Sequence, residues 1–433
     1  MDSFPEQVSS SLPSADIKPP PPVDGASSSP TSSLTIAITV RGRMQLNRAR
    51  VSQITFSRGD TRLAALSRHR STVPATNNRR WQRIEVYNAA TLASIYMPNS
   101  SGHFENEYKA FAENGAQALA FGPETVAEEP KSSARNIFSR KDKGTAKQPE
   151  PFIPLLFLHG KPNSITEQHG QYDVNTCMAI IDVGCMKRSS HVENIPIEVP
   201  IALNGDGTCM VGRSAEDPTE MYIMEASTQA AQQSLRTLAC LPGHLAAIKQ
   251  VAFMPDGRSV VSLAEDGTAR ITLYSGPDIG KTLYKCHIDH HGYSASHMQA
   301  SPTGRFVASV WGRRVVRWYP ETGTLLSYNL DAVRSIELWP LAFSADACLL
   351  VCRTENGLDI VRVEDGTSAG HLNWAQDKGN FATAAAFSSN GQQLAVGFHN
   401  GLIYMHDLSY TANPAINQEA SEEAPPTYVE KNS

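Results

Sequence analysis

Six side chains able to ligate a metal or move a proton fall between residues 286 and 297: Cys286, His287, Asp289, His290, His291 and His297. Structural zinc needs ligands brought to one point, and histidines adjacent in sequence rarely converge. Their spacing matches no zinc pattern, so they are read as a polar inter-strand loop and no metal is expected. Seven cysteines, at 177, 185, 209, 240, 286, 348 and 352, are scattered without a Cys-x-x-Cys pair, the pattern of reduced, buried thiols. The chain has no Gly-x-x-x-x-Gly-Lys-Ser/Thr phosphate loop and no His-Glu-x-x-His metal helix, and no nucleophile elbow of the Gly-x-Ser-x-Gly type is read. No catalytic residue, cofactor or metal site is assigned, and an enzyme is not expected.

Residues suited to recognition stand near the end of the chain. Residues 409–433 are polar and acidic and contain Pro425-Pro426-Thr427-Tyr428. This string matches the PPxY ligand of WW domains: two stiff prolines dock between aromatic rings at low entropic cost, and the Tyr ring fills a neighbouring apolar pocket. Pro425, Pro426 and Tyr428 are therefore the candidate partner-binding residues, the alternative being an accidental string on a solvated tail. Two further segments lack apolar periodicity. Residues 1–32 are Pro/Ser-rich, with Pro19 to Pro22 favouring polyproline II, and read as a disordered linker. Residues 127–150 hold six Lys or Arg between Lys131 and Lys147 against the single Asp142 in that stretch and read as a solvated inserted loop. Partner docking, phosphorylation at Ser132, Ser133 or Ser139, and nuclear import are the functional alternatives for that loop.

The elements that must carry these segments are short strands. Residues 242–276 contain Gly243-His244, the apolar run Val251 to Phe253, Pro255-Asp256-Gly257, a second run Val260 to Leu263, and Asp266-Gly267-Thr268. Each run is too short for a helix, and each is bounded by a Gly that supplies the positive φ of a tight hairpin. The order of these parts resembles one blade of the WD-repeat β-propeller family, which implies four strands per unit and a protein-binding role. The resemblance also implies a hydrogen-bond chain through His244, Ser262 and Asp266, with Gly267 shaping the turn. Its fourth member is missing, because Thr272 stands where the family writes Trp.

One four-stranded sheet cannot cover both of its apolar faces, so the unit should repeat. Alignment on the residue before the first turn gives Phe56, Phe121, Leu203, Phe253, Ala300, Phe343 and Phe387. The last three intervals are 47, 43 and 44 residues by subtraction, and the two long early ones call for insertions near Asn77 to Trp81 and at 127–150. Third strands are read at 84–88, 315–319, 360–363 and 402–407, and only Trp318 keeps the family's Trp. The expectation is an all-β, seven-bladed propeller over residues 33–408, with six or eight blades also compatible. Residues 33–40 should close the ring against 402–407 and so remove the edge strands.

Composition agrees with that architecture. Hydrophobic residues are 41% of the chain, enough for a core, and a net charge of −5 argues against general nucleic-acid or membrane-surface affinity. No apolar stretch is long enough to span a bilayer, and the first residues show neither a secretory nor a transit pattern, which points to the cytoplasm, with the nucleus as the other option. The functional expectation is a non-catalytic scaffold or adaptor whose tail recruits a WW-domain protein. A substrate receptor of a ubiquitin ligase is the nearest alternative. A propeller enzyme with residues lining its channel is the alternative of another class.

Overall fold

The computed structural model describes residues 35–46, 50–57, 59–70, 80–96, 116–121, 154–162, 174–182, 187–204, 208–226, 235–241, 243–330, 338–355, 357–373 and 380–411. These form seven four-stranded antiparallel sheets within one compact unit, Thr35–Thr411. Blades 1 to 6 run Arg50–Tyr96, Ala116–Ile195, Ile197–Leu241, Ile248–His287, Ala295–Asn329 and Trp339–Asn373. Blade 7 combines Ala382–Thr411 with Thr35–Gln45. The first strand of each blade touches the first strand of the next, and that of blade 7 touches that of blade 1. The ring is closed, and the protein is a seven-bladed β-propeller.

All seven residues used to align the repeats are the last residue of a first strand: Arg50–Phe56, Ala116–Phe121, Ile197–Leu203, Ile248–Phe253, Ala295–Ala300, Trp339–Phe343 and Ala382–Phe387. The reason is chemical as well as periodic. In five blades the next residue carries a side-chain oxygen that accepts from the backbone N–H five residues on, which closes the turn into the second strand. Ser57 takes Arg62 N at 3.1 Å, Asn204 takes Cys209 N at 2.9 Å, and Ser301 takes Phe306 N at 3.2 Å. Ser344 takes Leu349 N at 2.9 Å and Ser388 takes Gln393 N at 2.8 Å. Blade 4 has Met254 at this place, and Asp256 substitutes by accepting from Arg258 N and Ser259 N, each at 2.9 Å. Side-chain oxygens of this kind satisfy turn amides that the ladder leaves open.

Second strands lie between neighbouring blades and are buried on both faces, so they show no alternation: Ser259–Ala264 and Val307–Trp311 are buried throughout. Between blades 4 and 5, Leu263, Ile271, Val307, Trp311, Val316 and Trp318 pack as one cluster. Burying such side chains contributes about 1.5–3 kcal/mol each. Fourth strands form the rim and are largely exposed, as in Thr324–Asn329.

Closure joins the two expected segments in a shifted register: residues 35–38 face 408–411, and 402–405 face 42–45. Thr35–Gln45 runs antiparallel to Leu402–Thr411, from Thr35 opposite Thr411 to Gln45 opposite Leu402, with a register shift between Val40 and Gly42. Arg41, the extra residue there, places its Nε 3.1 Å from the Asp407 carboxylate. The insertion placed near Asn77 to Trp81 is partly strand: Arg80 and Trp81 pair with Arg70 and His69 and lengthen the hairpin of blade 1. The segment 127–150 lies outside the described residues, between two paired strands of blade 2. Residues 1–32 and the tail beyond Thr411 also lie outside them.

Candidate functional site

Strand pairing decides which residues share a face. In blade 4, Ile248 is opposite Ala264, Leu263 is opposite Ala269, and Thr268 is opposite His287. The loops between blades and the turns between second and third strands therefore lie at one end of every sheet, here termed the entry face. His244 and the Asp266 turn both belong to it.

Within that turn the chain of hydrogen bonds is shorter than the resemblance implies. His244 Nε2 lies 2.7 Å from Ser262 Oγ, both buried, but His244 Nδ1 is buried without a partner among the described residues. Asp266 instead accepts from Thr268 N at 2.9 Å and Thr268 Oγ1 at 2.5 Å. A carboxylate two residues from a hydroxyl and an amide is captured locally, so it does not reach the imidazole. Burial, with the charges of Arg270 and Lys285, pushes His244 down to about 4 against a weaker pull from Asp266. Burial opposes the charge on Asp266, yet the Thr268 hydrogen bonds and nearby histidines hold its carboxyl below the usual range. Gly267 has φ +81°, and a Cβ there would collide with the Ile288 carbonyl oxygen. Thr272 is buried at the family's Trp position, and Trp318, in blade 5, leaves its Nε1 buried without a hydrogen-bond partner among the described residues.

The cluster at 286–297 is divided between strand and loop. Cys286 and His287 end the fourth strand of blade 4 and His297 lies in the first strand of blade 5, so only the middle of the segment is loop. His290 packs against Trp311 with ring centroids 5.6 Å apart, and His291 Nδ1 lies 3.5 Å from Asp289. Among the described residues no group of three or more His, Cys, Asp or Glu is placed to hold a metal. Cys240, Cys286, Cys348 and Cys352 are in no disulfide, and burial pushes Cys286 up to about 12.

One serine motif escaped the reading of the sequence. Gly366-Thr367-Ser368-Ala369-Gly370 spells Gly-x-Ser-x-Gly. Ser368 begins the fourth strand of blade 6, not a strand-to-helix elbow, and its Oγ donates to Asp359 Oδ1 at 2.6 Å. His371 Nδ1 lies 3.7 Å from the same carboxylate oxygen. Serine, histidine and aspartate thus meet in the wrong order for nucleophilic catalysis, since the carboxylate and not the imidazole holds the serine proton. The cluster satisfies Asp359, which is fully buried.

A cleft of about 350 Å³ opens on the entry face of blade 5, lined by His290, Tyr293, Trp311, Arg313, Arg314 and Tyr328 among others. Arg314 is committed to the wall: it donates to the Asp289 carbonyl at 2.6 Å and to Ser327 Oγ at 2.7 Å. Two large apolar side chains stand exposed on neighbouring inter-blade loops of this face, Leu245 at 90% and Tyr293 at 59%. No spacing rule singles them out, because exposure depends on how blades 3, 4 and 5 abut. Pro425, Pro426 and Tyr428 lie outside the described residues.

Residues 234–272 match the family described as WD domain, G-beta repeat. This segment is the fourth strand of blade 3 followed by three strands of blade 4, so the sequence repeat is offset by one strand from the blade. A WD repeat-containing protein of Schistosoma mansoni, SL1-17, is 29% identical over 131 residues, 30% of this chain. The match spans 41% of that relative's length.

Proposed function

Taking the chain as a WD-repeat propeller, we propose that it is a non-catalytic adaptor that holds one partner protein on its entry face and recruits a WW-domain protein through Pro425, Pro426 and Tyr428. The observation that carries this reading is how the polar groups are used. Those with the look of chemistry are tied up inside the fold: His244 on Ser262, Asp266 on Thr268, and Ser368 on Asp359. What the entry face leaves to solvent is contact surface, Leu245 and Tyr293. Aromatic and large apolar side chains on rigid loops are the usual anchors of protein interfaces. Thiols outside any disulfide at Cys240, Cys286, Cys348 and Cys352 agree with a reducing compartment, cytoplasm or nucleus.

The tail is tested with a peptide spanning Ser421 to Ser433, titrated against a panel of isolated WW domains. A few contact residues on an otherwise unstructured strand support a Kd of roughly micromolar to millimolar. Tyr428→Ala should abolish binding, and equal binding of both peptides across the panel would remove the tail from this proposal. For the propeller, affinity capture with Leu245→Asp and Tyr293→Asp beside wild type should lose specific partners while thermal stability is kept.

A further inference from the structure

We propose that the entry face over blades 5 to 7 carries a strip of arginines and aromatic rings that docks an acidic peptide segment of a partner protein. This rests on the reading above that the entry face is where a partner sits, and names what that partner must present.

The strip is built from equivalent positions. Trp339, the first residue of blade 6, is paired with Arg353, the last of that blade's second strand. Phe381 and His399 flank the matching strands of blade 7 and are joined by a 3.0 Å backbone hydrogen bond from His399 N to Phe381 O. Arg313 sits in the turn between the second and third strands of blade 5, and Arg50 is the first residue of blade 1. Cations and rings then alternate across the blade boundaries. The Arg313 guanidinium lies 5.8 Å from the Trp339 ring, and that of Arg353 lies 4.4 Å from Trp339 and 4.8 Å from Phe381. Phe381 stacks 5.1 Å from His399.

Arg353 is the centre of the strip. It is half-buried between two aromatic rings, and among the described residues it forms no ion pair and no side-chain hydrogen bond. Its one charged neighbour of consequence is another cation, Arg50, and burial together with that repulsion lowers its affinity for its own proton. The acidic groups described nearby do not relieve this. Asp289 faces His291, and Glu355 is exposed and forms no ion pair among the described residues.

A guanidinium sandwiched by rings keeps its in-plane N–H edges open, the geometry that receives a carboxylate through two parallel hydrogen bonds. Among the described residues Arg353 and Arg50 have no acidic partner, although the chain's net charge is −5. An acidic segment supplies the missing charge and, with an apolar residue, fills the adjoining cleft beside Tyr293. Trp339 and Phe381 already carry guanidinium groups over their rings, which compete with the stacking of nucleobases there.

Full-length protein is titrated with a fluorescent peptide of about 12 residues alternating Glu and Leu, and with its Gln counterpart. The Glu peptide should bind at least about tenfold more tightly, and weaken as salt is raised from about 50 to about 200 mM. Arg50→Gln and Arg353→Gln should each weaken it about tenfold, the scale of one charge-assisted contact. Arg50 is exposed, so its variant tests the idea even if the Arg353 variant unfolds. Arg258→Gln, on the opposite face, should leave binding unchanged. Equal affinity for Glu and Gln peptides, or wild-type affinity in Arg50→Gln, overturns the proposal. Displacement of the peptide by phosphatidylserine vesicles also overturns it, in favour of a lipid surface. If these arms fail while Leu245→Asp still loses partners, the strip is wrong and the entry face stands. If no captured partner depends on Leu245 or Tyr293, the entry-face reading itself fails.

Discussion

Two buried imidazoles tie stability to pH. His244 and His406 are both pushed down to about 4, chiefly by burial, and neither nitrogen of His406 has a hydrogen-bond partner among the described residues. An unfolded histidine titrates at about 6.5, so between that value and about 4 the unfolded chain binds protons that the native chain refuses. Stability is complete above this window and falls as pH drops through it, by up to about 1.4 kcal/mol per pH unit for each histidine. Urea midpoints at about pH 7 and about pH 5 should differ, and His406→Leu should flatten the difference. An unchanged pH slope in that variant would show that His406 is not held neutral. The Asp266 turn makes a second test. Gly267→Val forces a β-branched residue to φ +81° and sets its Cβ against the Ile288 carbonyl, whereas at Gly276, with φ +92°, a Cβ would meet nothing within 4 Å. Gly267→Val should cost about 1–3 kcal/mol more than Gly276→Ala, and equal urea midpoints for the two would refute the close approach.

At the scale of the element, blades 1 and 3 to 7 depend on a side-chain oxygen that caps the first turn. Ser344 is buried and its Oγ takes the Leu349 amide, so Ser344→Ala leaves a buried N–H with one acceptor fewer. The expected loss is about 1–3 kcal/mol, and Ser388→Ala should behave alike through Gln393. Asn in place of Ser at 344 should recover part of it, since Asn204 does the same work in blade 3. Urea melts of the three variants check this, and wild-type midpoints for both alanine variants would mean that water replaces the hydroxyl without cost.

For the whole molecule, one strand from the N-terminal side holds the ring shut. Deleting residues 1–46 removes the Thr35–Gln45 pairing and the buried Ile36, Met44 and Leu46. Three such side chains at about 1.5–3 kcal/mol each, plus an exposed edge on Leu402–Thr411, should lower the melting temperature sharply and promote association. A truncated protein that melts like the full chain and stays monomeric would show that blade 7 is stable with three strands.

The strand ends, the blade spacing and the closing strand were legible in the chain because turn chemistry and alternation are local properties. Phe253-Met254-Pro255-Asp256-Gly257 specifies its turn whatever surrounds it, and the same logic located the other six first strands. Length misled only where a hairpin lengthened, as at Arg80 and Trp81, since extra strand and inserted loop look alike without a pairing partner. The site was another matter. Asp266 was legible as a turn residue, but whether its carboxylate reaches His244 or stays on Thr268 depends on angles between strands. The ladder of Arg313, Trp339, Arg353 and Phe381 draws its residues from three blades, and Arg50 adds a fourth, some 300 positions away in sequence by subtraction. No local rule relates them. Only closure of the ring brings blade 1 beside blade 7, and with it two cations that share one face without an acidic partner among the described residues.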